Sequence, residues 1–93
     1  MFKVLPRAVR DLENIRDTIS LDDERAALNV ISRLVHSFEL LAAKPDIGRP
    51  MAGRDTREWK VPGLPYVIPY RLDGMVIVLR VYHTRRKRPK QWK

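Results

Sequence analysis

Apolar residues in the first half of the chain recur at spacings of three and four, which is typical of amphipathic helices. Pro6 fits the first turn of one helix, and Asp22 or Asp23 fits the N-cap of a second. The second helix ends near Ala43, because Pro45 disfavours a helical conformation at the residue before it. The sequence therefore predicts an antiparallel helical hairpin. Its apolar stripes are Val9, Leu12, Ile15 and Ile19 in the first helix, and Ala27, Val30, Ile31, Leu34, Phe38 and Leu41 in the second. The polar face of the first helix is expected to comprise Arg10, Asp11, Glu13, Arg16 and Asp17.

The pattern changes between Leu64 and Arg86, where two runs rich in Val, Ile and Tyr flank Asp73-Gly74. Asp-Gly between such runs predicts a hairpin with a type I′ turn, which needs positive φ at both central residues. The second run, Met75 to Val81, is apolar at every position and is expected to be the central strand, covered on both faces. Pro69 cannot donate a ladder hydrogen bond, so it predicts a bulge or an edge-like position in the first run.

Two further strands complete the predicted sheet. Phe2 to Leu5 is short and apolar, and Arg57 to Val61 alternates, whereas Lys44 to Arg57 contains prolines and glycines without periodicity. The predicted fold class is α+β: an N-terminal strand, an α-helical hairpin, then a three-stranded antiparallel meander, with the helices packed on one face of the sheet. We expect a single domain over residues 1–93, with a basic tail from about residue 84 to residue 93.

Composition excludes several classes of function. The chain of 93 residues has no cysteine, so no disulfide or thiolate metal site supports it. A signal peptide and a run of 18 apolar residues are both absent, and cytoplasmic localisation is the expectation. Glu13 and Asp17 lie one helical turn apart but have no third ligand beside them, and His36 lies off the apolar stripe. The sequence therefore predicts no metal site and no cofactor.

Charge is distributed unevenly along the chain. Residues 1–47 carry 7 basic and 8 acidic side chains, whereas residues 48–93 carry 12 basic and 3 acidic ones. From Arg80 onward there are seven basic residues and no acidic one. Such an end is either a solvated tail or an electrostatic contact for an acidic protein segment or a nucleic-acid backbone. Charge alone does not choose between these partners.

Four motifs occur in an order that resembles the RelE/ParE superfamily of bacterial toxins, the toxic halves of toxin–antitoxin pairs. They are I-G-R-P at Ile47–Pro50, R-E-W at Arg57–Trp59, P-Y-V-I-P-Y-R at Pro65–Arg71 and L-R-V-Y-H-T-R-R at Leu79–Arg86. D-L-E-N-I-R-D at Asp11–Asp17 is similar to the first helix of the family. The resemblance covers nearly the whole chain and implies the fold predicted above.

The resemblance leaves two branches open, and the first contains ribosome-dependent mRNA endonucleases. RelE-type members deprotonate a 2′-OH, stabilise charge on the phosphate and protonate the leaving oxygen. The residues that do this in similar members are a Glu after the Gly-(Lys/Arg)-Pro loop, an Arg opening the third strand and a C-terminal His-Tyr pair. Here the corresponding positions hold Met51, Tyr66, His83 and Thr84, so one of four matches. A RelE-like chain would have to rely on His83, Arg80, Arg57 and Arg85.

The second branch resembles this chain more closely, because ParE-type sequences often end in V-x-H-x-R-R, as Val81–Arg86 does. ParE-like toxins poison DNA gyrase and are not enzymes. The resemblance implies an acidic, ParD-like antitoxin bound in a hetero-oligomer, and no membrane partner. The expected target contacts are His83, Arg85, Arg86, Arg88 and Trp92. The expected antitoxin contacts are Arg57, Trp59, Tyr66, Arg71 and Arg80.

A third hypothesis is a plain nucleic-acid-binding module. Cations from Arg85 to Lys90 could follow phosphates while Trp92 stacks on a base. Both helical stripes are taken up by the predicted core, so no recognition helix is left for base readout. We therefore regard direct nucleic-acid binding as the least favoured of the three.

Overall fold

The structure, a computed structural model, describes residues 1–51 and 55–85. The predicted order of a strand, a helical hairpin and three antiparallel strands is confirmed, with two short strands in addition. The elements are β1 (Phe2–Val4), α1 (Pro6–Ser20), α2 (Glu24–Ala43), a 3-10 turn (Pro45–Ile47), β2 (Arg49–Pro50), β3 (Thr56–Lys60), β4 (Tyr66–Leu72), β5 (Val76–Val78) and β6 (Tyr82–His83).

The helical hairpin packs on one face of the sheet. Pro6 opens α1, and the Asp23 carboxylate caps α2 by accepting hydrogen bonds from the backbone N–H groups of residues 25 and 26. The length and composition of α2 would suit a membrane-spanning helix, but its apolar stripe lies in the core. The stripe of α1 is rotated relative to its prediction, because Ala8 is buried while Val9 is 42% exposed.

The sheet is mixed, and its central strand is β4. Strand order is β1-β5-β4-β3-β2, and β6 pairs with the first residues of β4. Strand β1 is parallel to β5, whereas the other pairings are antiparallel. The prediction that Met75 to Val81 forms the central strand is wrong, because only Val76–Val78 of this run form a strand, β5, and the middle position of the sheet belongs to β4. An apolar residue at every position indicates that both faces of a strand are covered, but it does not indicate which strands pair with its edges.

A bulge opposite Pro69 divides the two short strands. Val78 lies opposite Tyr70, but His83 lies opposite Tyr66, so the last strand has one residue more than its partner over this interval. Pro69 has no N–H to donate, although its carbonyl accepts a hydrogen bond from the Leu79 N–H at 3.0 Å. Of the two predicted alternatives, a bulge or an edge-like position, the structure shows a bulge, and its extra residue lies in the strand opposite Pro69 rather than in β4.

The connection between β4 and β5 is a hairpin, but its turn is not type I′. Gly74 has φ +71°, whereas no residue other than glycine has a positive φ within residues 1–51 and 55–85. A type I′ turn would require a positive φ at Asp73 as well. Residues 73–75 connect the paired residues Leu72 and Val76. The chain reverses over these three residues with a single residue, Gly74, in the left-handed conformation.

The sheet carries an apolar cluster on each face. The larger cluster lies between the sheet and the helices and includes Leu34, Phe38, Leu41, Ile68 and Tyr70. The second, formed by Ile77, Leu79 and Tyr82, lies on the opposite side, which we call the second face. The bulge sends Val81 to the helix face with Val78, whereas strict alternation predicts that Val81 shares a face with Leu79.

Candidate functional site

The C-terminal strand places His83 at the end of the sheet, beside Tyr66. The two rings are in edge-to-face contact with centroids 5.5 Å apart. Thr84 donates its N–H to the Pro65 carbonyl at 2.8 Å, and Arg85 donates its N–H to the His83 Nδ1 at 3.1 Å. These two hydrogen bonds, one to a backbone carbonyl and one to the imidazole, therefore fix the point at which the chain leaves the sheet. Of the expected target contacts, His83 and Arg85 are described, and Arg86, Arg88 and Trp92 lie outside the described residues.

A cleft of about 240 Å³ opens next to His83, between α1 and the end of the sheet. Apolar walls come from Ile15, Ile19 and Val81, and the rim carries polar side chains of Asn14 and Thr18. Tyr66 also lines this cleft, and burial raises the pKa of its hydroxyl. The His83 end of the molecule thus presents an imidazole and an apolar recess together, which suits contact with another macromolecule.

Asp11 joins α1 to the segment between β5 and β6, two to three residues before His83. Its carboxylate accepts hydrogen bonds from Arg80 Nε at 2.8 Å and Arg80 Nη2 at 3.0 Å, and from the Val81 N–H at 2.9 Å. The expectation that Asp11 lies on a solvated face is wrong, because its side chain is 7% exposed. Asp11 lies three residues after Ala8 and four before Ile15, on the buried side of α1, but the sequence does not show which groups pair with its carboxylate.

Arg80 is held by Asp11 from one side and by an aromatic ring from the other. Its guanidinium carbon lies 4.6 Å from the centroid of the Tyr82 ring, within cation–π range. The hydrogen bonds to Asp11 raise the pKa of the Arg80 guanidinium, against the opposing effect of burial. Both expected roles of Arg80, in antitoxin binding and in catalysis, would therefore compete with an internal ion pair.

The five expected antitoxin contacts do not lie on one surface. Arg57 donates to the carbonyls of Asp46 and Gly48 at 3.2 and 2.8 Å, and so holds the loop after α2. Arg71 lies on the second face near the β4–β5 turn, 3.5 Å from Asp73, and its side chain is 43% exposed. Tyr66 lines the cleft beside α1, and Arg80 is paired with Asp11. The structure brings together neither this set nor the four residues of the RelE-like alternative.

The RelE-like set is divided along β4. His83 lies opposite Tyr66 whereas Arg57 lies opposite Tyr70, four residues or about 13 Å further along the strand. Arg85 lies two residues after His83 and contacts the His83 Nδ1 through its backbone N–H. Within residues 1–51 and 55–85, no group of three potential metal-binding side chains is close enough to hold an ion.

A groove of about 470 Å³ lies along β2 and β3 and contains the remaining expected antitoxin contact, Trp59. The Trp59 Nε1 is buried and has no hydrogen-bond partner among the described residues. Two cations border the groove: Lys60, which is exposed, and Arg49, whose side chain is 74% exposed and lies 3.3 Å from the Glu58 carboxylate. An unpaired buried N–H is costly. The groove therefore offers part of an indole ring beside positive charge, whereas the unpaired Trp59 N–H is enclosed by the fold.

Comparison with known proteins identifies a matching family and relatives that are named as toxins. The family model described as "ParE toxin of type II toxin-antitoxin system, parDE" matches residues 2–88. A protein of Sinorhizobium fredii named "Putative toxin Y4kP" is 39% identical over 83 residues, which cover 89% of this chain and 86% of that protein. "Toxin RelE2" of Caulobacter vibrioides is 40% identical over 81 residues, covering 86% and 90%.

A solved structure matches as well. A chain of the structure titled "Chromosomal ParDE TA system from P. aeruginosa" superposes with a TM-score of 0.77 and 26% identity. The match covers 88% of this chain and 92% of that one, so it includes both helices and the sheet.

Proposed function

The chain belongs to the ParE toxin family of type II toxin–antitoxin systems, and we propose that it inhibits growth in the cytoplasm by poisoning DNA gyrase. The contact with gyrase is made by the His83 end of the sheet together with Arg85 and the basic residues that follow it. The proposal treats the protein as an inhibitor by binding rather than as an enzyme.

One observation carries this proposal over an RNA-cleaving function. The two cations that His83 would need for phosphate chemistry, Arg57 and Arg80, are both engaged within the fold. Arg57 is bonded to loop carbonyls, and Arg80 to the Asp11 carboxylate. A nuclease needs such cations free to stabilise charge on a scissile phosphate. An inhibitor that acts by binding has no such requirement.

A RelE-like, ribosome-dependent mRNA endonuclease is the second candidate. A relative with 40% identity is named "Toxin RelE2", and His83 is kept at the position that the nuclease branch uses. This function would need Arg85 to supply the positive charge that Arg57 and Arg80 do not.

Purified toxin should inhibit supercoiling by gyrase and accumulate cleaved DNA in the reaction, and both effects should weaken in His83→Ala and Arg85→Glu. Arg7→Glu is the matched control for the charge change, because Arg7 is exposed at the opposite end of α1 from the cleft. Primer extension on translating ribosomes is run with the same proteins. Fresh cuts in mRNA without any effect on gyrase would establish the second candidate instead.

The family implies an antitoxin, and we place its binding segment in the groove that contains Trp59. An acidic chain there would set carboxylates on Lys60 and Arg49 and pack apolar side chains against the Trp59 ring. Arginine suits this role because its planar guanidinium binds carboxylates in a bidentate manner. Thr84 also lines the groove, so the antitoxin would lie against the point where the chain leaves the sheet for the target-binding end.

A further inference from the structure

The hydrogen bonds of Asp11 coincide with the bulge in the last strand. Between Val78 and His83 the strand holds four residues, whereas β4 holds three between Tyr66 and Tyr70. The two residues that Asp11 binds, Arg80 and Val81, are both inside this interval. The Asp11 carboxylate therefore contacts the chain at the point where its register with β4 changes by one residue.

The bulge determines which way His83 points. With Val78 opposite Tyr70, an unbulged ladder would place Tyr82 opposite Tyr66 and would turn His83 to the second face. In the observed register His83 opposes Tyr66, and its ring lines the cleft beside α1. A shift of one residue would remove the imidazole from this cleft.

A bulge leaves backbone groups outside the ladder, and these need other partners when buried. The Val81 N–H donates to the Asp11 carboxylate at 2.9 Å instead of to β4. The same carboxylate holds the Arg80 side chain by two further bonds, so both residues of the bulge are fixed from α1.

We propose that Asp11 is a positioning residue for the toxic site: by accepting the Val81 N–H and holding Arg80, it fixes the bulge and so places His83 at the cleft. The inference rests on the proposed function in one respect, since it takes the His83 end to be the target contact. Asp11 also lines the cleft, but its carboxylate is occupied by Arg80 and the Val81 N–H. Its effect passes through the register of the strand.

A merely stabilising ion pair would behave differently from a positioning residue. An ion pair needs one charge of each sign, and exchanging the residues as Asp11→Arg with Arg80→Asp would restore it. The exchange would not restore an acceptor for the Val81 N–H. Conversely, Arg80→Lys keeps both the charge and the Asp11 acceptor while losing the bidentate geometry.

The register can be measured directly by NMR. The hydrogen bond from Thr84 to Pro65 makes that pair hydrogen-bonded, so Tyr66 and His83 form a non-hydrogen-bonded pair with α-carbons about 4.5 Å apart. We expect a strong Hα–Hα contact between Tyr66 and His83 in the wild type, together with a coupling through the hydrogen bond from Val81 N to the Asp11 carboxylate. Absence of that coupling would overturn the proposal.

The variants then separate the two roles. In Arg80→Lys the Tyr66–His83 contact should remain and the toxin concentration for half-inhibition of gyrase should rise less than threefold. In Asp11→Ala and in the exchanged pair, Tyr82 should replace His83 opposite Tyr66, and that concentration should rise at least tenfold. If Asp11→Ala does not fold, the exchanged pair and Arg80→Lys still decide the question.

Two results would contradict the inference: an exchanged pair that keeps the Tyr66–His83 contact, or one that loses it and inhibits gyrase as the wild type does. Failure of the proposed function has a different signature. A wild-type protein without any effect on gyrase would refute the target, whereas the NMR contacts would still report whether Asp11 sets the register.

Discussion

The ring of Tyr70 occupies the space that any side chain at Gly48 would need. A Cβ on Gly48 would collide with the Tyr70 hydroxyl and would lie 2.5 Å from its Cε1. The backbone at Gly48 has φ −72° and ψ 152°, which every residue can adopt. Glycine is required here by the neighbouring ring. The Tyr70 hydroxyl accepts the Gly48 N–H at 2.9 Å and donates to the Pro45 carbonyl at 2.6 Å, which fixes the loop after α2.

Gly48→Ala should therefore lower the free energy of unfolding by about 1–3 kcal/mol, as overpacking does elsewhere. In a Tyr70→Phe background the same change should cost somewhat less, because the contact with the hydroxyl is gone while the contact with Cε1 remains. Urea unfolding of the four proteins gives the coupling energy. Gly74→Ala is the control: Gly74 has φ +71° and nothing within 4 Å, so its cost should be the same with either ring. Equal costs for Gly48→Ala in both backgrounds would contradict a contribution of the hydroxyl, whereas a cost no larger than that of Gly74→Ala would contradict a collision with the ring.

Stability should fall at alkaline pH because of two buried tyrosines. Burial raises the pKa of the hydroxyls of Tyr70 and Tyr66 above 10.0, and for Tyr70 the hydrogen bond from Gly48 opposes this rise. The folded state then retains protons that the unfolded state loses. The stabilisation is complete below pH 10 and is lost as pH rises towards the folded pKa, by up to about 1.4 kcal/mol per pH unit for each group.

Urea unfolding between pH 8 and pH 11 measures this loss. Tyr70→Phe should have a lower stability at pH 8, because the Gly48 N–H loses its partner, but a shallower decline above pH 10. Tyr66→Phe provides the comparison for the second group. Parallel curves for the wild type and both variants would show that neither hydroxyl contributes to the pH dependence.

Phe38 should be among the most costly positions to truncate. It is 1% exposed in the main cluster, and its ring is in edge-to-face contact with Phe2 at 5.7 Å. Phe38→Ala should lower the free energy of unfolding by about 3–5 kcal/mol. Leu28→Ala on the exposed side of the same helix is the control and should change it by less than about 1 kcal/mol. Thermal and urea unfolding test both, and similar effects would refute the assigned helix face.

The association rate of the antitoxin should depend on charge, and the lifetime of the complex should depend on Trp59. Lys60→Glu should slow association, and the wild-type rate should fall steeply with salt, because attraction between charges is screened within about 8–10 Å. Trp59→Ala should mainly speed dissociation, since it removes the ring against which the antitoxin would pack. Surface-binding kinetics at low and high salt measure both. If Lys60→Glu associates no more slowly than Arg7→Glu, the groove is not the antitoxin site.

Local chemistry explains what the sequence could predict. The stripe of α2 is repeated over five turns, the Asp23 cap acts within three residues, and Pro69 lacks a donor in any environment. Each of these features depends on the residue and its near neighbours. The same is true of the His83 end, because the residues that identified it, Val81 to Arg86, are neighbours in the sequence.

The features that sequence could not predict depend on distant partners. Asp11 is polar and lies in a helix, and its partners Arg80 and Val81 are 69 and 70 positions away. When these partners are not known, a carboxylate on a helix is expected to face solvent. The apolar run from Met75 to Val81 likewise shows only that both faces are covered. Its place beside β1, and its division by the bulge, follow from pairings that periodicity does not contain.

The parallel pairing of β1 with β5 has a consequence for synthesis of the protein. Phe2 pairs with Val76 and Val4 with Val78, so the first strand has no partner until most of the chain has left the ribosome. The helical hairpin is complete long before that, but it has no finished sheet to pack against. Long-range pairing of this kind is slow to form. A nascent or truncated chain should therefore be harmless, which gives the cell an interval in which antitoxin can meet each new toxin as it folds.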